Sequence, residues 1–300
     1  MKRTLYPKLC GLILCLLSWT IWPTAVALPL SVGIVCVLIL ALTLPVFDPR
    51  SNFYIPTLAV APERSSAIAL TFDDGPDPRF TLEILDYLER EAILAAFFIV
   101  GSRARKYPEI VREIIRRGHI VAGHSYRHDN CYHFATPTRL HRDFAEFDQV
   151  VGEILGLKCC LYRAPQGFRT PILSDVLRAR NLICVGWSAR GFDSIRTSGQ
   201  KIFRSLSKNL SGGNILLLHD GGGLGGREGR EATVEALPLL VAAARAKGLR
   251  FERLDTLLGV EAYAAFEPGI EAVIASIPSP KERRSVRSGI KNPLPQTVGH

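Results

Sequence analysis

Short apolar runs alternate with longer amphipathic segments from residue 65 to about residue 260. The apolar runs, which predict strands, are IALTF, AAFFIV, HIVAGH, CCLYRAP, LICVGWS, NILLLHD and RFERL. The amphipathic segments, which predict helices, include RFTLEILDYLERE, PEIVREIIRRG, PTRLHRDFAEFDQVVGEILG and EATVEALPLLVAAARAKG. Strands that alternate with helices form a parallel sheet covered by helices. About seven such units in about 200 residues favour an α/β fold with one closed or nearly closed barrel over two separate domains.

Polar side chains are concentrated where the predicted strands end. These are Asp73, Asp74, His124, Arg163, Trp187, Asp193, His219 and Asp220. The carboxyl ends of parallel strands lie at one edge of the sheet, which is where α/β proteins build their active sites. The sequence therefore predicts one catalytic rim that contains these side chains.

Two of these residues, Asp73 and Asp74, are adjacent in the segment TFDDGP. Neighbouring carboxylates repel each other, which disfavours ionising both unless a cation relieves the repulsion or the two take different roles. The segment HSYRH places His124 and His128 four residues apart, and on a helical turn this spacing brings both imidazoles to one face. Together with Asp74 they predict a site of two histidines and one carboxylate, which leaves metal positions open for water and substrate. Asp73 would then be free to act as a base.

The N-terminal region differs from the rest of the chain because no charged residue occurs from Leu9 to Phe47. We predict a membrane anchor over residues 1–50, in the form of a hairpin of two helices. A single anchor, alone or after a signal sequence, and a re-entrant segment are the alternatives. Residues 51–64 would link the anchor to a domain over residues 65–262. The expected location is the bacterial inner membrane. A hairpin returns the domain to the cytoplasm, whereas a single crossing places it outside.

The formal net charge of +9 is carried in part by residues 263–300, a basic segment rich in Pro and Ser. This segment lacks apolar periodicity, which predicts disorder, and it would be either a solvated tail or attracted to an anionic membrane surface. There is no basic strand interleaved with aromatic residues and no helix-turn-helix pattern. We therefore expect no nucleic-acid partner.

Five motifs occur in a fixed order: TFDDGP, HSYRH, RAPQG, a Trp followed six residues later by an Asp, and ILLLHD. With these motifs, residues 65–260 resemble the NodB-homology polysaccharide deacetylases, carbohydrate esterase family 4. The resemblance implies a distorted (β/α) barrel and metal-dependent hydrolysis of an N-acetyl or other short acyl amide on an amino sugar. It implies one divalent metal ion, zinc in many members and cobalt, manganese or nickel in others. The implied ligands are Asp74, His124 and His128.

The same resemblance implies four catalytic roles. Asp73 would be the general base that takes a proton from the metal-bound water, and Arg163 would pair with it and orient it. His219 would be the general acid that protonates the leaving amine. Asp193 would keep His219 in its proton-donating state, because a nearby carboxylate raises the pKa of an imidazole.

The resemblance also implies a substrate pocket. Trp187 and Leu217 would enclose the acetyl methyl group, and a backbone N–H after Pro165 would stabilise the oxyanion. The chain departs from the family pattern at Gln166, where an aromatic residue is usual, and at Ser194, where Trp is frequent. Both departures change the surface that faces the sugar.

The expected partners are a membrane and an amino-sugar glycan. A lipid-linked sugar or a non-sugar amide at the membrane is the alternative substrate, which would make the chain a deacylase or deformylase. An inactive glycan-binding or scaffold protein is the alternative from another class. The sequence leaves open the metal, the acyl group, the side of the membrane, signal cleavage and the oligomeric state.

Overall fold

We describe a computed structural model of the chain over residues 2–62, 65–129, 131–195, 198–222 and 229–266. It begins with two helices, α1 (Lys2–Ile21) and α2 (Thr24–Phe47). Length and composition make α2 suitable for crossing a membrane, with a mean hydropathy of 2.8, whereas the apolar part of α1 is shorter, Cys10–Ile21.

The two helices pack side by side in opposite directions. Near the turn between them, the hydroxyl groups of Ser18 and Ser31 are 3.0 Å apart. Farther from the turn, Gly11 faces Leu38 so closely that a Cβ at position 11 would lie 2.0 Å from the leucine side chain. The lack of a side chain at Gly11 therefore allows the close approach of the two backbones.

Eleven strands are found in the described residues. They are β1 (Thr57–Leu58), β2 (Ala67–Asp73), β3 (Ala95–Ile99), β4 (Ile120–Gly123), β5 (Leu157–Cys159), β6 (Leu161–Tyr162), β7 (Ile183–Val185), β8 (Ala189–Arg190), β9 (Ile215–His219), β10 (Arg250–Phe251) and β11 (Tyr263–Ala265). The main sheet has the order β1-β7-β6-β4-β3-β2-β9-β8, with β10 beside the start of β2, and all its pairs are parallel. The remaining strands, β5 and β11, form an antiparallel pair.

Helices follow most strands, and most of these helices cover the outer face of the curled sheet. They are α3 (Phe80–Arg90), α4 (Gly101–Lys106), α5 (Pro108–Arg116), α6 (Pro137–Leu155), α7 (Pro171–Ala179), α8 (Gly199–Ser207), α9 (Glu231–Ala246) and α10 (Leu254–Leu258). The alternation along β2 places Ile68, Leu70 and Phe72 in the core beneath these helices. Ala67 and Ala69 face the inside of the curl, where α10 fills the space. This is the (β/α) barrel architecture that the sequence predicted.

The structure differs from the sequence prediction at several elements. The predicted strand CCLYRAP is divided between β5, which ends at Cys159, and β6, which begins at Leu161. Between them, the backbone N–H of Cys160 donates to Ala262 O at 2.9 Å, beside β11. The first strand, β1, lies within the segment predicted as a linker, and β11 lies within the predicted tail. Helices α4, α7, α8 and α10 were not predicted. The tail from residue 267 onward is outside the described residues.

Candidate active site

The register of the sheet brings the predicted polar residues to one edge. Asp73, the last residue of β2, is paired with Phe98 on one side and with His219, the last residue of β9, on the other. His124 directly follows β4, and Arg163 directly follows β6. The predicted catalytic rim therefore forms from strands that are neighbours in the sheet.

Asp74, His124 and His128 converge at this rim. The Oδ1 atom of Asp74 lies 3.1 Å from Nε2 of His128 and 3.5 Å from Nε2 of His124. One ligand atom from each residue lies within 4.8 Å of the others. The Nδ1 atom of His124 is 2.8 Å from the carbonyl oxygen of Arg163, so Nδ1 donates and Nε2 presents its lone pair to the cluster. Two imidazoles and one carboxylate in this arrangement fit a divalent cation.

The charge state of this cluster also suits a cation. Burial alone would raise the pKa of the Asp74 carboxyl, but the neighbouring imidazoles outweigh it and hold that pKa below its usual range. Burial, together with repulsion from His124, lowers the pKa of His128. The Asp74 carboxylate is thus ionised, and the mostly buried imidazole of His128 favours its neutral form. These are the forms that bind metal.

The HSYRH segment is a loop and not the helical turn that its spacing suggested. Ser125 and His128 have positive φ angles of 66° and 49°. The backbone N–H of His128 donates to Ser125 Oγ at 2.9 Å. Asp143 on α6 accepts from the backbone N–H groups of Tyr126 at 2.8 Å and Arg127 at 3.2 Å. These bonds, and not helix geometry, bring the two imidazoles together.

Asp73 is held by a buried arginine. The Nη1 atom of Arg163 donates to Asp73 Oδ1 at 2.7 Å and to Thr71 Oγ1 at 2.8 Å, while Nη2 donates to the Gly186 carbonyl at 2.9 Å. Arg163 is fully buried. The other oxygen, Asp73 Oδ2, lies 3.9 Å from Nε2 of His124 and so faces the cluster of possible metal ligands. One carboxylate oxygen is therefore fixed and the other is directed at the site.

His219 forms a second buried pair with Asp193. Its Nδ1 atom is 2.8 Å from Asp193 Oδ1, and its backbone N–H donates to Asp193 Oδ2 at 2.7 Å. Thr233 on α9 donates to the same Oδ2 at 2.9 Å. Burial alone would lower the pKa of His219, but the Asp193 carboxylate outweighs it and raises the pKa to about 9. His219 is therefore a cation at neutral pH and can donate a proton.

The predicted pocket residues lie beside these groups. Trp187 packs against Gly167, where a Cβ would be 2.3 Å from the indole ring and φ is 76°. Leu217 is buried on β9. Its neighbours Leu216 and Leu218 belong to the outer core, so the alternation of side chains directs Leu217 to the inside of the curled sheet. Pro165 is buried, and Gln166 is exposed with a φ of 57°.

Several residues that support the site had no role in the sequence prediction. Thr71 lies two positions before Asp73 on β2. Side chains alternate along a strand, so this spacing alone predicts that Thr71 points to the same face as Asp73. Asp143 and Thr233 reach the site from helices distant in sequence, and no local pattern identifies them. The sequence predicts Asp220 at the rim but assigns it no role. Its carboxylate accepts from Thr81 Oγ1 at 2.5 Å, and burial raises its pKa to about 7.

Known proteins resemble this chain in sequence and in fold. The profile of the polysaccharide deacetylase family matches residues 61–183. The chain is 31% identical over 201 residues to a peptidoglycan-N-acetylglucosamine deacetylase of Bacillus cereus, a match that covers 65% of this chain and 70% of that protein. It is 29% identical over 221 residues to a chitooligosaccharide deacetylase of Bradyrhizobium sp., over 71% of this chain and 98% of that protein. A crystal structure of a peptidoglycan N-acetylglucosamine deacetylase in complex with 4-naphthalen-1-yl-N-oxidanyl-benzamide aligns with a TM-score of 0.64 and 26% identity, over 68% of this chain and 93% of that one.

Proposed function

Because this chain belongs to the polysaccharide deacetylase family, the NodB-homology hydrolases, we propose that it removes the acetyl group from an N-acetylated amino sugar. The glycan would be related to peptidoglycan or chitooligosaccharide, on which the similar proteins act by name. The observation that supports this function most directly is the convergence of Asp74, His124 and His128 beside Asp73, with His219 at the end of the adjacent strand.

Asp74, His124 and His128 would hold one divalent cation, with zinc as the first candidate because two imidazoles and one carboxylate are typical of catalytic zinc. When bound, the cation would polarise the acetyl oxygen and lower the pKa of water.

The side chains of the chain itself would move the protons. Asp73, oriented by Arg163, accepts a proton from the attacking water as the water oxygen bonds to the carbonyl carbon. The backbone N–H of Gln166 stabilises the negative charge on the carbonyl oxygen. His219 then donates its proton to the nitrogen as the C–N bond breaks. The products are acetate and the free amino sugar.

Trp187 and Leu217 would enclose the methyl group of the acetyl. Both side chains are more than nine-tenths buried, so a longer acyl chain would have to displace packed atoms. We infer a preference for acetyl over longer acyl groups.

The N-terminal helices would anchor the enzyme in a membrane. The length and hydropathy of α2 support one crossing, and its antiparallel packing against α1 supports the hairpin. The exposed apolar side chains of α2, among them Leu40, Leu44 and Phe47, would then contact lipid.

The substitution Asp73→Asn tests this assignment. We expect acetate release from chitotetraose by the full chain to fall by about 10²-fold to 10⁴-fold, the usual contribution of a general base. Bound zinc, measured by elemental analysis, should stay near the wild-type amount. Asp175→Asn, an exposed carboxylate on α7, is the matched control and should keep full activity. An active Asp73→Asn enzyme would contradict the proposed role.

A further inference from the structure

A cavity of about 340 Å³ lies between the end of α2 and the catalytic rim. Its walls include Phe47 and Arg50 from the α2 side, and Gln166, Trp187 and Arg190 from the rim. Gln166 and Trp187 also belong to the proposed acetyl pocket. The cavity therefore borders the proposed substrate pocket, and its volume is that of a site for a small molecule.

The C-terminal end of α2 and the residues after it contact Phe168 and Arg169, which follow the rim residues 163–167. The backbone N–H of Arg169 donates to Val46 O at 3.2 Å, and Arg169 Nη1 donates to Pro49 O at 3.0 Å. The rings of Phe47 and Phe168 meet edge to face with centroids 4.8 Å apart. The wall that α2 contributes to the cavity is thus part of the folded domain.

Two arginines, Arg50 and Arg190, line the cavity, and no Asp or Glu is among its lining residues. The Asp48 carboxylate accepts the backbone N–H of Arg50 at 3.0 Å but does not line the cavity. Within the part of the chain that the structure describes, no carboxylate lies within ion-pair distance of the Arg50 or Arg190 side chain. Arg190 has its Nε atom buried without an acceptor. A buried donor is costly without a partner, so Arg190 favours an acceptor supplied by a ligand, and the two arginine charges favour an anion.

The position of Arg50 relative to α2 indicates how deep in a bilayer the bound anion would lie. A helix of 24 residues is about 36 Å long, enough to cross a hydrocarbon core of about 30 Å. Leu44 and Phe47, in the last turn of α2, are 62% and 57% exposed. Arg50 follows three residues later, where the lipid phosphates of a bilayer begin. The cavity thus lies at phosphate level.

We propose that the substrate is a glycolipid in which the amino sugar is joined to a hydrocarbon tail through a phosphate. The phosphate binds between Arg50 and Arg190, the tail lies along α2 in the bilayer, and the sugar reaches Trp187. This names the substrate class of the proposed deacetylase and so rests on that function. It also accounts for Gln166 and Ser194, because a substrate held by its phosphate needs fewer aromatic contacts to the sugar.

The test uses the full chain in lipid nanodiscs of phosphatidylcholine and measures acetate release. The probes are N-acetylglucosamine joined to farnesol through a phosphate, the same sugar joined to farnesol directly, and soluble chitotetraose. We expect kcat/KM to be at least about tenfold higher for the phosphate-bearing glycolipid than for the neutral one. A double variant, Arg50→Gln with Arg190→Gln, should lose about tenfold or more on the phosphate-bearing probe, the value of one charge-assisted hydrogen bond. Arg112→Gln, an exposed arginine on α5, is the matched control and should keep the preference.

Equal rates on the two glycolipids, or an unchanged preference in the double variant, would overturn the phosphate site. Competition by phosphatidylglycerol as strong as that by farnesyl phosphate would also overturn it, in favour of a site for lipid headgroups. Binding of the phosphate-bearing probe is measured separately with the Asp73→Asn variant. If that binding depends on Arg50 and Arg190 but wild-type enzyme releases no acetate from any probe, the phosphate site stands and the proposed deacetylase function fails.

Discussion

Two buried histidines of the site, His124 and His219, make similar hydrogen bonds with different consequences. Each has its Nδ1 atom 2.8 Å from an oxygen, which for His124 is the backbone carbonyl of Arg163 and for His219 the carboxylate of Asp193. A neutral carbonyl fixes the tautomer without adding charge, so Nε2 stays available as a ligand. A carboxylate stabilises the imidazolium, which suits a proton donor. The charge of the oxygen, and not the geometry of the bond, separates the two roles.

Removal of His124 should have the largest effect. In His124→Ala we expect zinc binding and acetate release to be lost together, since one of three ligand positions is gone. Elemental analysis and the acetate assay on the same preparation check this. Full activity in a variant that retains its metal would show that His124 is not a ligand.

Removal of His219 should separate catalysis from metal binding. His219→Gln is expected to lower kcat by about 10²-fold to 10⁴-fold, since the leaving amine no longer receives a proton from the protein. Zinc content should match the wild type, in contrast to His124→Ala. Loss of metal in His219→Gln would remove the distinction between the two histidines.

Asp193→Asn tests whether the carboxylate makes His219 a cation. With Asp193 present, the pKa of His219 is about 9, so activity should decline as pH rises through that value. Without the carboxylate, burial lowers the pKa of His219, and the alkaline limb of the kcat/KM profile should move to lower pH. Thr233→Val, which removes one hydrogen bond to Asp193 and leaves its charge, is the control and should shift the limb less. An alkaline limb that stays in place would contradict this role of Asp193.

Asp143→Asn should have the smallest effect and act only on the side of His124. The Asp143 carboxylate accepts two backbone N–H groups of the HSYRH loop, and an amide oxygen can replace only one of these acceptors. We expect zinc affinity to fall by about 10-fold to 100-fold, as for other groups that orient metal ligands. At saturating zinc, kcat should remain near the wild-type value. A drop in kcat that zinc does not rescue would assign Asp143 a different role.

The sequence predicted the rim better than the elements that support it. The predicted strands around Asp73, His124 and His219 are confirmed because long apolar runs indicate buried strands clearly. The short strands β1, β8 and β11 have two or three residues each and give no such signal. The HSYRH spacing predicted His124 and His128 on one face of a helical turn, whereas a loop with positive φ angles brings these two residues together.

The sequence by itself determined which residues stand at the carboxyl ends of the strands, because the apolar runs and the residues that follow them are properties of the chain. Only the tertiary structure decided the environment of those residues. Thr233 contacts Asp193 across 40 positions, and Arg163 contacts Asp73 across 90. The packing of α2 against the rim beside Arg50 likewise depends on contacts between distant segments. Burial and charge arise from the whole fold. They set the pKa of His219 and the charge of the cavity lining, which no local sequence pattern predicts.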